Sequence, residues 1–148
     1  MGTRIVFVMI LFVFFNPCLA EKRFVGSEKC KSCHEDEFKR FNKYSKKANS
    51  FKHISLMEKG LTKDEFKGCF SCHTTGYGKP GGFISLSETP YLKNNGCESC
   101  HGPGSIHIES EDPEDIKAKI SLDDCKVCHN SERVKSFNFK PMKYGGAH

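Results

Sequence analysis

Four cysteine pairs, each followed directly by a histidine, constrain this sequence more than any other feature. They read CKSCH (30–34), CFSCH (69–73), CESCH (97–101) and CKVCH (125–129). In each motif two residues separate the cysteines, so two thiols and an imidazole are always presented at the same spacing. The intervals between the motifs differ, which indicates repetition of a local motif and not of a whole folding unit.

The C-x-x-C-H spacing is typical of covalent c-type haem attachment. Two thiols at this spacing add to the two vinyl groups of one haem, and the histidine that follows then lies beneath the iron as its proximal ligand. Two zinc sites, each made of four cysteines, would not need a histidine after every second cysteine, and disulfides between the pairs would leave the four histidines unexplained. We therefore predict four covalently bound haem c groups. The attachment residues are Cys30, Cys33, Cys69, Cys72, Cys97, Cys100, Cys125 and Cys128, and the predicted proximal iron ligands are His34, His73, His101 and His129.

Residues 1–20 have the pattern of a secretory signal peptide. Arg4 provides a positive start, an unbroken apolar run of eleven residues follows, and small residues stand at the cleavage position near Ala20. The run is too short to span a bilayer, which takes about 20 residues. We expect export to the periplasm or beyond, and no stable membrane insertion of the remaining domain, 21–148. An uncleaved N-terminal anchor is the alternative.

The apolar residues that remain after residue 20 are few. Aliphatic side chains are sparse, the sequence contains no tryptophan, and phenylalanine is the main large apolar residue. A domain of this size with so small an apolar core needs a disulfide, metal or cofactor to stabilise it. We expect the four haems to form the core and folding to depend on their attachment.

Helical patterns dominate the segments between the motifs. Residues 35–59 contain no proline or glycine and carry one apolar stripe at spacings of three and four, which predicts a continuous helix. Thr62 and Glu65 predict a capping box, Ser121 predicts a helix start before the fourth motif, and 113–119 predicts a short helix. No segment shows convincing strand alternation. The sequence predicts a mainly α protein with much irregular loop, a small multihaem cytochrome c fold.

Charge is distributed unevenly along the chain. Residues 39–52 contain six basic residues and no acid, whereas residues 109–115 contain five acids and no base. A basic stripe is also found in nucleic-acid-binding proteins, but the predicted export excludes that partner. We interpret the two segments as surfaces that steer a charged protein partner, or as solvated faces.

Three histidines lie outside the motifs, and they are candidates for the second axial position of the irons. They are His53, His107 and His148. His107 follows His101 by six residues, which reach about 20 Å only when fully extended. The turn residues at 102–105 shorten that reach. We therefore predict that His101 and His107 serve different haems.

The other two histidines pose separate questions. His148 ends a tail of aromatic residues that we expect to pack over a porphyrin. His53 lies off the apolar stripe of the predicted helix, and Lys47, whose neutral amine can also bind iron, lies nearer to it. Three histidines for four irons leave at least one iron without an obvious second ligand, and Met57 and Met142 are further candidates. The glycine-rich loop after His73 suggests the second haem as the one open to small ligands.

The segments GCFSCHTTGYG, GCESCHGPGSIH and CKVCH resemble the exported tetrahaem cytochrome c family whose best-known member accepts electrons from hydroxylamine oxidoreductase. The resemblance covers about residues 26–148 and implies closely packed haem pairs, with three bis-histidine haems and a five-coordinate second haem. It implies that His107 is a distal ligand. The family's helical histidine stands earlier than His53. From the resemblance we assign His107 to the fourth haem, His53 to the third and His148 to the first.

These features predict an electron carrier and no enzyme, because no cluster of acid–base groups suggests a substrate pocket. The expected partners are redox proteins: other cytochromes, a membrane quinol oxidoreductase or a terminal reductase. The alternative is a reductase of small ligands, such as nitric oxide or another nitrogen oxide, at one five-coordinate haem.

Overall fold

The computed structural model describes residues 21–130, which include all four C-x-x-C-H motifs. The predicted signal peptide at 1–20 and the tail that carries His148 lie outside the described residues. Within 21–130 the regular structure is helical and contains no strand. The α-helices are α1 (Ser27–Cys30), α2 (Glu35–Tyr44), α3 (Ser50–Ser55), α4 (Lys63–Lys67), α5 (Phe70–His73), α6 (Glu98–His101), α7 (Ser105–Ser110) and α8 (Leu122–Lys126). The prediction of a mainly α protein with much irregular loop is confirmed.

The single long helix predicted for 35–59 is wrong, because the chain leaves the helical conformation at Ser45. This residue is extended, with φ −88° and ψ 120°, and the chain continues as a 3-10 helix over Lys46–Asn49 before α3 begins. The buried Ser45 hydroxyl accepts a hydrogen bond from the Lys47 N–H at 3.3 Å. A serine that bonds to nearby backbone competes with helix formation, so α2 and α3 are separate helices.

The predicted helix starts agree with the structure. Thr62 and Glu65 form a capping box at α4, in which the Thr62 N–H donates to the Glu65 carboxylate at 2.8 Å. Ser121 and Asp124 form the equivalent contact at α8, also at 2.8 Å. The predicted helix at 113–119 is only a 3-10 turn, Pro113–Asp115.

A cluster of phenylalanines forms the apolar core of the described residues. Phe51 lies at its centre, with its ring centroid 5.9 to 6.1 Å from the rings of Phe66, Phe70 and Phe83. Phe70 belongs to the second motif, and Cys69 also packs against the cluster. The polypeptide core therefore supports the second motif directly.

The glycine-rich loop after the second motif packs closely on the same core. Gly76 has a φ of +71°, and a Cβ atom built on it would lie 2.8 Å from the Phe24 ring. Only glycine combines this conformation with so close an approach. The Phe83 N–H then donates to the Thr75 carbonyl at 2.9 Å, which closes the loop. Within residues 21–130 no helix is both long enough and apolar enough to cross a membrane.

Candidate haem-attachment sites

The four motifs share one backbone geometry. In each, the carbonyl of the first cysteine accepts hydrogen bonds from the second cysteine N–H at 3.1 to 3.3 Å and from the histidine N–H at 2.8 to 3.1 Å. Each motif is therefore a single helical turn. Residues three and four positions apart lie on the same side of such a turn, so both thiols and the imidazole face one way, as attachment to one planar macrocycle requires.

All eight motif cysteines are free thiols and are available for thioether formation. The part of the chain that the structure describes contains no cluster of three or more Cys, His, Asp or Glu side chains able to hold a bare metal ion.

Three histidines are oriented by hydrogen bonds from Nδ1 to a backbone carbonyl. His73 contacts the carbonyl of Ser50 at 3.1 Å, and His101 contacts that of Lys117 at 2.7 Å. An Nδ1–H donor leaves the Nε2 lone pair for a metal, and this second contact fixes the ring. His107 has the same arrangement, at 2.8 Å from the Asp112 carbonyl. It therefore resembles the motif histidines although it lies outside a motif.

The imidazole ring of His107 lies close to that of His34. Their ring centroids are 6.3 Å apart and the ring planes differ by 26°. Two nitrogens on opposite sides of one metal ion are about 4 Å apart, because a metal–imidazole bond is about 2 Å long. The ring centroids are then roughly 6 Å apart. The spacing of the two rings fits a pair of axial ligands to one iron.

The structure places Lys47 and His53 differently. His53 is exposed on α3 and lines a surface groove with the end of α2, while its neighbours Phe51 and Ile54 face the core. It is not brought to a motif in the described residues, and its role as a ligand stays a prediction. Lys47 is half-buried.

The charge of Lys47 acts on groups of the third and fourth motifs. Burial raises the pKa of the Cys100 and Cys125 thiols, and the Lys47 ammonium partly offsets this. Burial also lowers the pKa of His129, and Lys47 lowers it further. Lys47 therefore lies close to the junction of these two motifs.

The motifs also contact one another through their cysteines. The Cys30 and Cys97 thiols act on each other, and this contact raises the pKa of Cys30 and lowers that of Cys97 to about 6. Burial raises the pKa of Cys128 to about 12, with a contribution from contact with Cys72. The first motif therefore meets the third, and the second meets the fourth.

Side chains that sequence reasoning missed hold the second motif in place. The Ser50 hydroxyl donates to the His73 carbonyl at 2.8 Å and accepts from the Asn95 N–H at 2.8 Å. The Asn95 amide donates to the Cys72 carbonyl. Ser50 and Asn95 are 45 positions apart, and nothing in the sequence relates them.

Lys117, also missed, joins the third motif to the fourth. Its N–H donates to the His101 carbonyl at 3.2 Å, and its own carbonyl accepts from the His101 ring. Its ammonium pairs with Asp124 in α8. One residue thus connects the proximal histidine of one site with the helix that begins the next.

Four equivalent turns, each with a free thiol pair followed by a histidine, define a multihaem c-type cytochrome. Residues 29–102, half of the chain and three of its four motifs, match the family model of cytochrome c554 and c-prime. This chain belongs to that family. Cytochromes of the family carry four covalently bound c-type haems, and this chain has one attachment motif for each, as predicted.

Two comparisons describe the closeness of the relationship. Over 97 residues the chain is 36% identical to cytochrome c-554 of Nitrosomonas europaea. The aligned stretch covers 57% of this chain and 40% of that protein. The solved structure of reduced cytochrome c554 from the same organism superposes with a TM-score of 0.62 at 23% identity, covering 87% of this chain and 86% of the other. The similarity confirms the predicted fold.

Proposed function

We propose that this protein is an exported electron carrier that binds four haem c groups and passes electrons between redox proteins. A bound haem supplies reversible one-electron chemistry at its iron. The polypeptide binds each group through two thiols, orients an imidazole beneath it and fixes the spacing between neighbouring groups. The single observation that carries the proposal is the direct contact between attachment turns, because closely spaced redox centres conduct electrons.

The contacts support a continuous order of the attachment turns. The first turn meets the third through Cys30 and Cys97, and the second meets the fourth through Cys72 and Cys128. The third and fourth are joined by Lys117. We infer the order first, third, fourth, second, with the first and second motifs at the two ends.

We further propose that His107 and His34 are the two axial ligands of the first haem. The ring spacing of 6.3 Å and the hydrogen bond from His107 Nδ1 support this pairing. It replaces our assignment of His107 to the fourth haem and of His148 to the first. The expectation that His101 and His107 serve different haems is retained.

The charged segments provide surfaces for protein partners. In the basic segment, Lys39 and Arg40 are exposed and form ion pairs with Glu35 and Glu37 at 2.9 Å. Exposed pairs of this kind contribute little to stability. We propose periplasmic partners such as other cytochromes, a membrane quinol oxidoreductase or a terminal reductase. The family is periplasmic, which supports this location.

The test is a rapid-mixing experiment on the purified protein with its haem content measured first. We expect a mass that exceeds the polypeptide by four haems, and reduced protein that is reoxidised by a small exported cytochrome c. The alternative of a small-ligand reductase has no support in the described residues. A protein that carries four haems, fails to reduce the cytochrome and turns over nitric oxide would overturn the proposal in favour of that alternative.

A further inference from the structure

Glu98, the residue that follows Cys97 in the third motif, is buried although it carries a carboxyl group. Only 2% of its surface is exposed. One carboxyl oxygen accepts from the Val25 N–H at 3.0 Å and the Gly104 N–H at 2.8 Å. The other accepts from the Val25 N–H at 3.1 Å and the Gly26 N–H at 2.7 Å.

Every hydrogen-bond partner of Glu98 is a backbone N–H donor, the arrangement that suits a carboxylate acceptor. An ionised acceptor of several backbone N–H groups is strongly held. Within residues 21–130 no lysine or arginine forms an ion pair with Glu98. Among the described residues, backbone N–H groups make all the hydrogen bonds to this buried carboxylate.

The charge lies where the first and third motifs meet. Gly26 precedes α1, which ends at Cys30, and the Ser27 hydroxyl accepts from the Cys97 N–H at 3.0 Å. The pKa of Cys30 is raised by its contact with Cys97, then by burial, and further by the Glu98 charge; on Cys97 the same charge also acts in the raising direction. Glu98 thus imposes a negative field at both attachment cysteines.

We propose that Glu98 is a positioning residue whose buried carboxylate lowers the reduction potentials of the first and third haems. The inference rests on the proposed function, since it concerns the haems of an electron carrier. The physical reason is electrostatic: a nearby negative charge in a medium of low dielectric constant opposes the addition of an electron. The same carboxylate holds the segment before α1 against the third motif. One side chain therefore provides both the negative charge and the contact between the two motifs.

The experiment compares Glu98→Gln with Glu28→Gln in the full-length protein. Glu28 lies in α1, two positions before Cys30, and is exposed, so its substitution removes the same charge from a solvated position. Mass measurement first establishes four haems, which tests the proposed function separately. Redox titration followed by optical and electron paramagnetic resonance spectra then gives the midpoint potentials.

We expect E98Q to raise the midpoint potentials of two of the four haems, those identified as first and third, and E28Q to leave all four unchanged. Unchanged potentials in an E98Q protein with four haems would overturn the proposal, and so would an equal rise at all four.

A second pair keeps the test decisive if E98Q does not bind four haems. E98D and E98N have the same length and differ in charge. E98N should show higher potentials at the first and third haems than E98D, which should stay close to the wild type. Equal potentials in the two variants would contradict a role for the charge.

Discussion

The second and third motifs have the same five-residue geometry, but different interactions hold them in place. The second motif packs against the phenylalanine cluster around Phe51. The third motif is held by the buried carboxylate of Glu98 and by the two-way contact of His101 with Lys117. An apolar support stabilises the fold without imposing a field, whereas a charged support also changes the electrostatic potential at the site. The comparison separates residues that govern stability from residues that govern redox properties.

The largest effect is expected from removing His107, which α7 presents after the third motif. H107A takes away the proposed second ligand of the first iron, so that a single haem should change from low-spin to high-spin in the electron paramagnetic resonance spectrum of the ferric protein. Ile108→Ala, at an exposed neighbour on the same helix, is the matched control and should leave the spectrum unchanged. A low-spin first haem in H107A would refute the pairing with His34.

The same measurement on H53A tests the sequence-based prediction for His53. Loss of a low-spin signal at a haem other than the first would support its role as a ligand. An unchanged spectrum would remove His53 from the ligand set.

Phe51→Ala should produce the largest loss of stability. Phe51 is 8% exposed and contacts three other rings, and truncating a buried phenylalanine typically lowers the free energy of unfolding by about 3–5 kcal/mol. Guanidinium denaturation of the haem-bound protein measures this. The control is Leu56→Ala, since Leu56 is 78% exposed and should change stability by no more than about 0.5 kcal/mol. A rise in the midpoint potentials of the first and third haems in F51A, as large as that expected for E98Q, would contradict the distinction. The phenylalanine cluster would then affect redox properties as the Glu98 carboxylate does.

Ser50→Ala should have a smaller effect on the same region. It removes the hydroxyl between the His73 carbonyl and the Asn95 N–H, and a buried polar group without a partner costs about 1–3 kcal/mol. Guanidinium denaturation of the haem-bound protein measures the decrease in the free energy of unfolding. Ser55→Ala is the control, because the Ser55 hydroxyl contacts only its own helix, at the Lys52 carbonyl. Equal stability of the two variants would show that the Ser50 bridge does not support the second motif.

The smallest effect concerns pH and the helix that starts the fourth motif. Lys117, with Ser121, lowers the pKa of Asp124 from 3.8 to about 2. Because the folded-state pKa is the lower one, the stabilisation is present above about pH 4 and disappears as the pH falls towards 2. The stability difference between wild type and Asp124→Asn should therefore shrink between pH 6 and pH 2.5. A difference that stayed constant over this range would rule out the ionised Asp124 as its origin.

Much of the local structure was predictable because its causes are local. The capping boxes at Thr62 and Ser121 involve residues three positions apart, and the structure has both. The break at Ser45 was missed because an apolar stripe with no proline or glycine favours a continuous helix. A buried hydroxyl that bonds to the backbone changes that outcome, and burial of one serine is decided by contacts distant in sequence.

The sequence by itself determined what each motif is: the spacing of two thiols and an imidazole on one helical turn depends only on neighbouring residues, and it marks the site of each haem. Tertiary structure alone decided which sites meet and what lies between them. The contact of Glu98 with Gly26 spans 72 positions, and His107 reaches His34 only through the fold. Contacts between residues so far apart in sequence form only when the intervening chain folds back, at a cost in loop-closure entropy. A pattern of neighbouring residues therefore does not predict them.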